Sequence, residues 1–69
     1  MTTTHIDPAA LEAADLAKRR GVAADASGLE RLADEVVAGA AGGGPKEAFA
    51  RLVAAHLRRM AIRARNGGW

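Results

Sequence analysis

Leu29, Leu32, Ala33, Val36, Val37 and Ala40 recur at intervals of three and four, while Glu30, Arg31, Asp34 and Glu35 occupy positions between them. On a helix these two sets fall on opposite sides, so the spacing predicts an amphipathic helix over 28–41. Ser27 followed by Glu30 reads as a capping box at its start, each side chain satisfying a backbone donor near the other. A second stripe, Phe49, Leu52, Val53, His56, Leu57, Met60 and Ala64, predicts a helix over 45–65. Gly42-Gly43-Gly44-Pro45 lies between them, and proline suits a first helical position. A short glycine loop joining two matched stripes implies an antiparallel αα-hairpin. Arg63 falls within the apolar arc, so packing is expected to fade after Met60 and the last turn to project. Asn66-Gly67-Gly68 should end the helix.

A first helix is predicted over 8–20. Asp7 can cap it, Pro8 suits its first position, Ile6 and Leu11 stand as a hydrophobic staple, and Gly21 can stop it. Asp15 and Arg19 are four apart in the favourable order. Its apolar face is Ala9, Ala10, Ala13 and Ala17 around Leu16, which buries little area, so loose attachment is expected. No segment alternates with period two, and no strand is assigned. The expected class is all-α: one small domain over 1–69, three helices built on the hairpin, with flexible ends at 1–5 and 66–69.

Composition changes this picture in one respect. Hydrophobic residues make up 49% of the chain, but 18 of them are alanine, so the core has few large side chains. With 69 residues and no cysteine, neither size nor disulfides add much stability, and a second copy or a larger protein is expected to help. Met1-Thr2-Thr3-Thr4-His5-Ile6-Asp7 lacks a basic region followed by an apolar run, so it does not read as a signal peptide. No apolar run of about 18 residues is present, and a cytoplasmic location is the expectation. Charge is split unevenly. Residues 1–47 carry five Lys/Arg against eight Asp/Glu, whereas residues 48–69 carry five arginines and no acid.

Catalytic chemistry finds little material. Ser27 is the only serine, cysteine and tyrosine are absent, and Thr2, Thr3 and Thr4 lie in the N-terminal tail. His5 and His56 are far apart in sequence and no ligand pair shows metal spacing, so neither a metal nor another cofactor is expected. The glycine run lacks the strand and the Lys-Ser/Thr that a phosphate loop needs. The chain therefore reads as non-enzymatic. His56, inside the apolar stripe, reads as a half-buried histidine bonded to backbone or a partner, or as a pH-sensitive contact beside Arg59.

The basic end of the third helix is the remaining signal. Arg51, Arg58 and Arg65 recur every seven residues as one stripe, Ile62 lies beside it, and Arg59 and Arg63 continue round the other edge. Trp69 is the only tryptophan, a residue type common among interface anchors. Arg58, Arg59, Ile62, Arg63 and Trp69 are thus the candidate partner-binding residues. A larger protein fits best, as bound by an accessory subunit or small regulator, since a marginal core and a basic patch with Ile62 both call for one. The second reading is a small nucleic-acid binder, which 3% aromatics argues against. The third is a precursor of a secreted cationic helical peptide, processed at the glycine run.

From the second helix onward the chain also resembles the small delta subunits of bacterial NAD-dependent formate dehydrogenases. Arg31, Ala33 and Val36 match that family's Arg-x-Ala-x-x-aliphatic start. Ala55, His56, Leu57 and Arg58, with Arg63 and Arg65 beyond, match its Ala-His-aliphatic-basic segment and trailing arginines. Met60-Ala61-Ile62 stands where the family has an aromatic-proline element. The resemblance implies a helical accessory chain bound to a large molybdenum enzyme, itself holding neither molybdenum nor NAD.

Overall fold

The computed structural model describes residues 7–67. Three helices follow in order: α1 (Pro8–Arg20), α2 (Ala26–Gly39) and α3 (Gly44–Arg65). The all-α class and the three-helix plan match the hydrophobic pattern. Ile6, Trp69 and the ends 1–5 and 68–69 lie outside the described residues.

α1 begins and ends where its sequence indicates. Asp7 accepts a hydrogen bond from the Ala9 amide at 3.0 Å, and Gly21 closes the helix in the left-handed conformation at φ 70°. Arg19 meets Asp15 at 2.6 Å. Leu11 points to solvent.

α2 starts earlier than its capping pattern implies. Ser27 lies inside the first turn, Asp25 is the N-cap without a side-chain bond, and the capping box does not form. The reason is the tightness of the link from α1. The Val22 amide bonds the Ala17 carbonyl at 3.0 Å and the Asp25 amide bonds the Val22 carbonyl at 2.9 Å, so the chain has already turned into α2 by Ala26. Glu30 is drawn instead to Arg65, at 2.6 Å. The helix also stops at Gly39 rather than 41, ahead of a glycine loop with Gly42 and Gly43 at φ 137° and 86°.

α3 packs against both other helices. The ion pairs Arg58–Asp34 and Arg65–Glu30 show α2 and α3 to be antiparallel, since later positions on one meet earlier positions on the other. The buried face of α3 is rotated from its stripe of large residues. Ala50, Val53, Ala54, Leu57 and Ala61 are buried, whereas Phe49 and Leu52 are 41% and 56% exposed. A helix wedged between two neighbours buries the arc between them, and alanines there let both approach closely. Packing also continues past Met60, with Ala61 buried and Ala64 half-buried against the core. The last turn therefore does not project.

α1 is seated on this face by Ala9, Ala13 and Ala17, each at most 1% exposed. Four residues apart, they form one small-residue ridge. The remaining core is Leu29, Leu32 and Ala33 of α2, with Val36 and Val37 half-buried beside it. The molecule measures 39 × 35 × 18 Å, a plate about two helix diameters thick.

Two glycines of α2 give a test of this packing. A Cβ on Gly28 would stand 2.7 Å from Val22 Cγ1 and 2.9 Å from Val22 Cβ, whereas one on Gly39 would meet nothing within 4 Å. Gly39→Ala should raise stability by up to about 0.5–1 kcal/mol through helix propensity alone. Gly28→Ala should lower it, because the interhelical turn must shift. Urea unfolding midpoints that rise for both variants would refute the close packing of the turn.

Candidate interaction surface

The sidedness of α3 decides which of its arginines are free. On the side toward α2, Arg58 Nη2 donates to Asp34 Oδ1 at 3.0 Å and Arg65 reaches Glu30 at 2.6 Å. Arg51 pairs with Glu47, one turn earlier on α3, at 2.8 Å. The stripe Arg51–Arg58–Arg65 is thus matched by acids of the chain itself, which corrects the picture of it as open positive charge. These pairs are solvent-exposed, so each contributes little to stability. Their consequence is that part of the charge of Arg58 is already offset by Asp34, although its remaining guanidinium N–H groups are free to donate.

Arg59 and Arg63 differ. Neither has a carboxylate within ion-pair distance among the described residues. Both line an open trough of about 320 Å³ between α1 and α3, with Ala10, Ala14, His56 and Met60. Ile62 is 57% exposed on the flank of α3 toward α2. It borders a second hollow with Glu30, Asp34 and Arg58. Of the five candidate contact residues, Arg59 and Arg63 come together in one trough, while Ile62 and Arg58 share its neighbour. Trp69 lies outside the described residues.

His56 is half-buried and meets a residue that spacing could not reveal. Its Nε2 lies 3.0 Å from Asp7 Oδ2, across 49 residues of sequence. A carboxylate only accepts hydrogen bonds, so Nε2 carries the hydrogen in this contact. Asp7 therefore acts twice: Oδ1 caps α1 and Oδ2 ties it to α3. The Ala9 amide, and then the His56 ring, hold the Asp7 carboxyl below its ordinary range.

Glu47 has a comparable role at the glycine loop, and the sequence reading missed it. Its Oε1 accepts from the Gly43 amide at 2.8 Å and the Gly42 amide at 3.2 Å. These two amides, with the charge of Arg51, hold its carboxyl low as well. The amides of the glycine loop are thus occupied by the chain's own carboxylate rather than open to a phosphate. The signal lay in an acid in the first turn after a glycine run, the acidic half of a capping box.

A separate, largely apolar groove of about 500 Å³ lies where Leu16, Val36, Pro45, Phe49 and Val53 converge. Among the described residues no three His, Cys, Asp or Glu side chains cluster as metal ligands, and no helix is long and apolar enough to cross a membrane. No family model, curated protein or solved structure matches the chain.

The two carboxylates predict an acid dependence. A carboxyl depressed in the folded state stabilises that state fully above its unfolded value, and the contribution is lost as pH falls through the folded value. With ordinary values of 3.8 for Asp7 and 4.5 for Glu47, the loss should begin below about pH 4.5. Asp7→Asn with Glu47→Gln should lower the melting temperature at pH 7 and flatten its decline on acidification. A double variant with the same acid slope as the parent would show that neither contact matters.

Proposed function

We propose that this chain is a non-catalytic helical interaction protein, an accessory subunit or small regulator held in the cytoplasm by a larger protein. The observation that carries this reading is the surface of α3, which presents exposed Ile62 at the hollow toward α2 and, at the trough toward α1, Arg59 and Arg63, two cations that no acid of the described chain offsets. An exposed aliphatic side chain and unmatched arginines on one helix suit an apolar and acidic counterpart. The thin, alanine-rich core adds to it, because a fold with so few large buried side chains gains stability from any surface that covers it. On its resemblance to formate dehydrogenase delta subunits, the larger protein would be such an enzyme, with this chain supplying contact rather than chemistry.

The test is capture by the tagged chain from nuclease-treated lysate at moderate salt, alongside Ile62→Asp. One stoichiometric protein that is retained by the parent and lost with Ile62→Asp is the expected result. Recovery of nucleic acid alone from untreated lysate, released by added salt, would replace this reading with a nucleic-acid surface.

A further inference from the structure

We propose that the trough between α1 and α3 seats an acidic amphipathic helix of the partner protein, its carboxylates held by Arg59 and Arg63. This rests on the interaction reading above and gives the partner a chemistry. The argument begins with an asymmetry between the two sides of α3. Arg51, Arg58 and Arg65 each meet an acid at 3.0 Å or less. Arg59 and Arg63 face α1, and what α1 offers there is Ala10 and Ala14. The acids of α1 are engaged elsewhere: Asp15 and Glu12 lie against Arg19, and both oxygens of Asp7 are taken by the Ala9 amide and His56.

The trough therefore carries two positive charges one helical turn apart with no acid in its lining. Like charges at this spacing repel mildly, and an anionic occupant removes that repulsion. Carboxylates one turn apart on a second helix have the matching separation of about 6 Å. The space between them suits a helix as well. Ala10 and Ala14 have no bulk beyond Cβ, so a backbone can approach, and half-buried Met60 offers an adaptable apolar floor for an aliphatic side chain. His56, pinned by Asp7, closes one end. Nucleic acid finds the two arginines but no Phe, Tyr or Trp ring in the trough on which a base could stack, and the one imidazole there, His56, is held by Asp7.

The experiment uses fluorescence anisotropy with three probes. These are a labelled synthetic helix of Ala, Leu and Glu with Glu pairs one turn apart beside one Leu stripe, a scrambled peptide of the same composition, and mixed-sequence duplex DNA. The amphipathic peptide should bind the full chain at moderate salt and bind more tightly than the other two. Arg59→Glu with Arg63→Glu should weaken it by about tenfold or more. Ala14→Glu should do the same by placing on α1 the acid that the trough lacks, while melting no earlier than the parent, so its loss of binding is not a loss of fold. Equal binding of the scrambled peptide, tighter binding of DNA, or peptide binding that survives Ala14→Glu would each overturn the proposal. A captured protein lost with Ile62→Asp but retained with Ala14→Glu would leave the interaction reading standing and remove the trough from it.

Discussion

The whole structure depends on α3 serving as a common wall for two helices, and it can do so because its contact arc is made largely of alanine. Among the described residues eleven hydrophobic ones are buried; seven are alanine, and Leu29, Leu32, Val53 and Leu57 are the larger four. Alanine contributes little transfer free energy, but it lets helix backbones come close enough for dispersion contacts to accumulate. The cost is a thin core. The large residues of α3 that would have thickened it, Phe49 and Leu52, lie outside the wedge between α1 and α2.

With so little apolar burial, polar side chains set how the helices are arranged. Asp34 and Glu30 on α2 meet Arg58 and Arg65 on α3 in antiparallel order, and Arg20 of α1 meets Glu35 of α2 at 3.4 Å. Such exposed pairs stabilise weakly. Their geometry still disfavours sliding α2 along α3, because a shift of one turn would leave one of the two arginines opposite an alanine, Ala26 or Ala38, and keep a single pair. Asp7 and Glu47 fasten the ends of two helices in the same economical way. Each carboxylate satisfies backbone amides at a helix start and also reaches a basic side chain, Asp7 on a different helix and Glu47 one turn on.

The same apportioning of charge gives the molecule two unlike sides. Toward α2 the arginines of α3 are matched within the chain; toward α1 they are not, since alanines occupy the facing positions. Ala9, Ala13 and Ala17 pack α1 against the core, and the neighbouring Ala10 and Ala14 leave Arg59 and Arg63 without counterions.

The sequence by itself determined the class and the number of helices, because these rest on local physics. Period-3.6 patterning, the Asp7-Pro8 start, the stop at Gly21 and the glycine loop each act within a few residues, and α1 and α3 appear within one residue of their expected bounds. It also pointed to the basic end of α3 and to His56 as a half-buried, hydrogen-bonded ring. Only the tertiary structure decided which arginines are free, that His56 meets Asp7, that Glu30 serves Arg65 instead of a capping box, and that the buried arc turns toward Ala50, Ala54 and Ala61. These depend on the angle at which three helices meet. A stripe read from large side chains cannot show that angle, because at a close helix contact the smallest residues, not the largest, mark where the chains touch.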